Sequence, residues 1–131
     1  MNFFKRQYFY IKLYYNKVEI THLNSGETIT KNSLENFSTK RVVIANFNII
    51  ELLVRNCITE LSQNYKALFT QNIMLIQHVE VMEGGVTEIE KRAMRDICEQ
   101  AGGVEVYLIT NNKIISIDEA MQGLKNKSFN H

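Results

Sequence analysis

The 131-residue chain has no proline and only two cysteines, and its charges nearly cancel, with 15 Lys and Arg against 14 Asp and Glu. A balance of this kind, without a dense Lys/Arg stripe, excludes nucleic-acid binding driven by bulk electrostatics. No run approaches the roughly 18 apolar residues that a membrane span requires. Met1–Tyr10 carries Phe3, Phe4, Lys5 and Arg6 but lacks the apolar stretch and small-residue cleavage site of a secretory signal. It reads instead as the start of a first strand. Cys57 and Cys98 are clustered neither with each other nor with histidine, so no metal site is expected. Each falls near the apolar face of a separate predicted helix, where free cysteine behaves as a small core hydrophobe. Unclustered thiols without an export signal point to a reducing cytoplasm. The missing proline implies no particular chemistry.

What is present is an ordinary globular composition, 45% hydrophobic and 22% charged, at a length that suits one core. Tyr8–Tyr15 and Lys17–Leu23 are aromatic and β-branched runs about a turn at Asn16, which predicts a hairpin. Asn24-Ser25-Gly26 is a second turn, and Thr28–Thr30 can form a short third strand. Lys31–Lys40 reads as a loop and Arg41–Ala45 as a brief extended segment. Asn48 and Glu51 offer a capping pair before an amphipathic helix whose apolar stripe is Ile50, Leu53, Val54, Cys57, Ile58, Leu61 and Tyr65.

Beyond a connection over Gln63–Gln71, the apolar run Ile73–Val79 predicts a central strand. Thr87 and Glu90 then form a Thr-x-x-Glu capping box, in which each side chain satisfies an orphan amide at a helix start. Ile89, Ala93, Met94, Ile97 and Ala101 follow as its apolar face, and Gly102 and Gly103 supply the positive φ that ends the helix. Val104, Val106, Leu108 and Ile109 read as a mostly buried strand, completing a βαβ unit. Lys113–Ile117 reads as a short strand or helix-leading loop, and Asp118–Leu124 as a turn or two of helix. The chain is therefore expected to form a single domain over residues 1–124, with a disordered tail over 125–131.

Three antiparallel strands, then helix, strand, helix and strand, is the order of the ribonuclease H-like α/β fold. That fold has a mixed sheet, antiparallel and then parallel, with flanking helices. The segment Gly84–Asn112, GGVTEIEKRAMRDICEQAGGVEVYLITNN, resembles the bacterial actin (MreB) family. There Gly-Ile-Thr-Glu-Val-Glu-Arg-Arg-Ala begins the helix, and a Glu-Val-Tyr-Leu-Ile strand follows an Ala-Gly break. Val43-Ile44-Ala45-Asn46-Phe47 is similar to the Val-Ile-Ala-Asp-Phe that introduces the other helix. The resemblance implies an actin-like lobe. It also implies that the chain is too short for a two-lobed ATPase, and that the second phosphate loop and the adenosine lobe lie outside it.

The same resemblance implies a degenerate nucleotide site. The family's first strand carries Ile-Asp-Leu-Gly-Thr, whose Asp organises magnesium and whose Gly lets the backbone approach phosphate. Here the residues are Ile11-Lys12-Leu13-Tyr14-Tyr15. After the later strand, the family's Ile-Glu-Glu-Pro includes a water-orienting carboxylate; here Ile109-Thr110-Asn111-Asn112 contains no acid. A two-metal nuclease is supported still less, because Lys12 stands where the first acid would be and Ile73–Val79 has none. The expectation is a non-enzymatic MreB-like module, without cofactor or metal, that works through a protein partner or self-association. Its candidate contact surface is Tyr8, Tyr10, Tyr14 and Tyr15. The alternative is a small-ligand or nucleotide domain using His78, Glu80, Gly84, Gly85 and Thr87, because strand ends and helix N-termini can gather polar ligands.

Overall fold

The two-residue turn Tyr15–Asn16, with Asn16 at φ 52, closes the first hairpin and sets the register of the strands beside it. The computed structural model describes residues 4–33, 46–63, 69–80 and 86–130. Strands β1 (Phe4–Tyr14), β2 (Lys17–His22) and β3 (Glu27–Asn32) form an antiparallel meander. Strand β4 (Phe69–His78) pairs parallel with β1, and β5 (Gly103–Ile109) pairs parallel with β4, giving the order β3-β2-β1-β4-β5. Helices α1 (Phe47–Ser62), α2 (Glu88–Gln100) and α3 (Ile117–Lys125) complete the expected ribonuclease H-like lobe.

Strand alternation sorts the core into two layers. Phe9, Ile11 and Leu13 of β1, Met74 and Ile76 of β4, and Val106 and Leu108 of β5 pack under α1 and α2. Tyr8, Tyr10, Ile73, Leu75, Tyr107 and Ile109 point the other way, towards Ala120 and Leu124 of α3. The edge strand β3 is almost wholly exposed and reads ETITKN, a short polar edge that resists pairing with other chains.

Several expectations are corrected. Helix α1 starts at Phe47 with Asn46 as its N-cap, without a side-chain capping bond, rather than at an Asn48–Glu51 pair. The earlier start lets Phe47 pack on the core, while Glu51 turns inward to meet Arg55 at 3.3 Å. The capping box at Thr87 forms as read, but Ile89 is 82% exposed. Five residues before Met94, it is turned about 140° away from that buried position at the helical 100° per residue; Cys98 takes the place in the core.

Of Gly102 and Gly103, only Gly102 has positive φ (101). Gly103 serves by close approach, since a Cβ there would meet the Cys98 carbonyl oxygen at 3.0 Å and Met74 Sδ at 3.1 Å. Register jumps from Asn72↔Gly103 to Ile73↔Glu105, so Val104 is the extra residue of a bulge and is 61% exposed rather than buried. Over residues 125–130 the structure shows ordered contacts where a disordered tail was expected, and His131 lies outside the described residues. Lys125 ends α3, Ser128 N–H bonds the Gly123 carbonyl, and Asn130 bridges to Leu108. Asp118–Leu124 lies in one helix, capped by a reciprocal Ser116–Glu119 box. The expected extended segment at Arg41–Ala45, as well as Tyr65 and most of the Gln63–Gln71 connection, lies outside the described residues.

Candidate functional site

The C-terminal ends of β1, β4 and β5 meet in one row, where Lys12 opposes Glu19 on β2 and Gln77 on β4, and Gln77 opposes Ile109 on β5. All three polar side chains share the α3 face of the sheet. Lys12 Nζ lies 2.7 Å from Glu19 Oε1 and 5.0 Å from the centroid of the Tyr10 ring. Both charged side chains are largely buried, at 12% and 28% exposure, so water screens the pair less than it would on the surface.

Next to this pair, the buried Tyr10 hydroxyl donates to Gln77 Oε1. The Gln77 amide donates in turn to the carbonyls of Asn111 (3.0 Å) and Lys113 (2.8 Å). Ile115 N–H donates back to the Tyr10 oxygen at 3.4 Å. Burial raises the Tyr10 pKa, so the hydroxyl stays protonated and able to donate. The row is therefore a closed network. Lys12 and Glu19 satisfy each other, and beside them the Gln77 amide and the Tyr10 phenol do the same and fasten the loop after β5. Among the described residues, no three His, Cys, Asp or Glu side chains cluster as metal ligands.

His78 belongs to the opposite face. It is 2% exposed beneath α2, and its Nδ1 lies 3.7 Å from Glu90 Oε2. Glu90 is the capping-box glutamate. Its Oε1 accepts from Thr87 N (3.2 Å) and Thr87 Oγ1 (3.1 Å), so the Thr87 side chain is spent on the cap. Burial lowers the His78 pKa and Glu90 opposes the shift, so the ring stays neutral at neutral pH. Its Nε2 is buried and has no hydrogen-bond partner among the described residues.

Of the candidate ligand residues, the structure brings together only His78 and Thr87, through Glu90. Glu80 is exposed, and Gly84 and Gly85 lie outside the described residues. Of the candidate contact tyrosines, Tyr8 (8% exposed) and Tyr10 (1%) belong to the core, because they point at α3. Tyr14 is half-buried with Lys17 Nζ 4.4 Å over its ring, and Tyr15 at the hairpin tip is 42% exposed. The contact surface expected of the four tyrosines therefore reduces to the hairpin tip.

Sequence reasoning missed Glu19 and Gln77. The first was legible, because a two-residue turn at Tyr15–Asn16 pairs Tyr14 with Lys17 and hence Lys12 with Glu19. The second depends on the β1–β4 register, which no local signal reports.

A five-stranded mixed sheet in this order, with two helices on one face and a third on the other, defines an actin-like lobe of the ribonuclease H-like class. The MreB/Mbl protein family profile matches residues 31–123, well over half of the chain, and the chain belongs to that family. It is 32% identical over 80 residues to the cell shape-determining protein Mbl of Bacillus subtilis (strain 168), a match covering 61% of this chain. The matched stretch spans only 22% of that relative's length. Among the described residues, no helix is long and apolar enough to cross a membrane.

Proposed function

We propose that this chain is a non-enzymatic MreB-like module that acts by protein–protein contact, in the cytoplasm, in cell-shape or cytoskeletal assembly. The observation that carries the reading is the Lys12–Glu19 pair at 2.7 Å. An ammonium group stands where the family pattern has its magnesium-organising aspartate, and its charge is neutralised from within the sheet. Tyr14 takes the place of the glycine that would admit a phosphate, and Asn111 that of the water-orienting acid. Each change removes a group that phosphoryl chemistry uses. Membership of the MreB/Mbl family, and the cell-shape role in the name of the Bacillus relative, supports the setting. The whole relative's activity is not carried over, because the match spans a fifth of it.

The test is binding of the purified chain to a full-length MreB/Mbl-type protein, measured by surface immobilisation with and without magnesium-ATP. The expected result is saturable binding whose dependence on nucleotide comes only from the full-length partner. Absence of binding in both conditions, with no self-association either, would overturn the reading. The unpartnered His78 Nε2 favours a second reading, a small-ligand site beside the α2 N-terminus. Under that reading, saturable small-molecule binding is lost in His78→Ala.

A further inference from the structure

A Cβ placed on Gly123 would stand 2.1 Å from Phe129 Cε2 and 2.4 Å from Cζ, so the aromatic ring rests directly on bare backbone of α3. Ser128 N–H donates to the Gly123 carbonyl at 2.9 Å, and the Ser128 hydroxyl reaches the same oxygen at 3.3 Å. One residue beyond the ring, Asn130 lies antiparallel to Leu108 on the outer edge of β5 and accepts its N–H at 2.7 Å. These are the two devices by which grooves hold extended peptides: main-chain pairing to a strand edge and an aromatic anchor in a notch.

The anchor is only partly enclosed. Phe129 is half-buried and lines two cavities, one of about 240 Å³ beside Leu108 and Asn111, the other of about 370 Å³ beside Glu119 and Asn126. The turn that delivers it is strained at one residue. Lys127 sits at φ 54, a left-handed conformation that disfavours the closed turn by about tenfold for a residue with a Cβ. Opening the turn relieves that strain and frees the ring together.

We propose that the Gly123 notch and the outer edge of β5 form a docking groove. Residues 128–130 of the same chain fill it in cis; when the Lys127 turn opens, the same segment of a second copy fills it in trans. The occupant follows from the structure, because the segment already makes the required contacts and exchange between copies reproduces them without new chemistry. Opened, the stretch from Asn126 to Phe129 spans about 10 Å, enough to reach a neighbouring α3 laid alongside. The exchange names one contact for the protein-contact reading above and rests on it. Nucleotide binding would overturn that reading without deciding the exchange, and a failed exchange would leave that reading standing.

Sedimentation equilibrium from micromolar to millimolar concentration is expected to show a monomer–dimer equilibrium. Lys127→Gly, which tolerates the closed turn, weakens dimerisation by about a hundredfold, about tenfold for each of the two turns that the exchange opens. Lys127→Pro, which cannot adopt positive φ, strengthens it. A second experiment mixes a Gly123→Cys copy with a Phe129→Cys copy under oxidation, with circular dichroism confirming that both fold. A disulfide between the two copies, diminished when both also carry Lys127→Gly, supports the exchange. A monomer at every concentration, including with Lys127→Pro, or no disulfide between the copies, overturns it.

Discussion

Lys12 and Glu19 face each other across the β1–β2 ladder, ammonium to carboxylate at 2.7 Å, on the face of the sheet covered by α3. Removing one partner leaves the other charge partly buried and unpaired. Lys12→Met is expected to cost about 1–2 kcal/mol, between an exposed cross-strand pair and a fully buried ion pair. The double change Lys12→Met with Glu19→Leu should recover most of that loss, because no charge is then stranded. Urea unfolding of the four proteins measures both. Equal, additive losses would show that the two side chains do not depend on each other.

Gln77 is expected to act as the fastener of the loop after β5. Gln77→Leu keeps the volume but strands the carbonyls of Asn111 and Lys113 and the Tyr10 hydroxyl. A loss of about 2 kcal/mol follows from leaving such groups unsatisfied. The accompanying signature is local, with amide exchange of residues 111–116 accelerating beyond that of β1. Unchanged exchange in that loop would mean that the network does not hold it.

Stability should fall on mild acidification. Burial lowers the pKa of both His22 and His78 from the ordinary 6.5, with Glu27 and Glu90 respectively opposing. A base whose folded pKa is depressed takes up protons more readily when unfolded, so stability rises with pH through that window. The contribution is complete above 6.5 and is lost as pH falls from there through the folded values. Thermal unfolding across neutral and mildly acidic pH should show the decline, and His78→Gln should flatten part of it. A melting temperature that rises on acidification would refute the assignment.

Much of the architecture was legible because its signals are local. The turn at Asn16, the alternating strands and the Thr87–Glu90 box each act within a few residues, and each forms as read. Errors arose where a distant partner decides. Ile89 shares the apolar spacing of α2 yet faces solvent, because the buried arc is centred nearer Met94 and Cys98. Val104 is expelled by a bulge that lets Gly103 pass close to Cys98 and Met74. The polar segment after Leu124 is ordered by a bare glycine and a strand edge that composition does not reveal. In the site, Lys12, Tyr14 and Asn111 could be read directly from the sequence. Their setting, the pairing of Lys12 with Glu19 and the Gln77 bridge, needed the register.

Calorimetric titration of the purified chain with magnesium-ATP decides whether the strand-end row binds nucleotide. With Lys12 neutralised by Glu19 and Gln77 engaged by Tyr10 and the loop, no binding heat is expected even at high protein concentration. Stoichiometric binding at micromolar affinity would contradict it, and would require a nucleotide site built from residues other than those of the strand-end row.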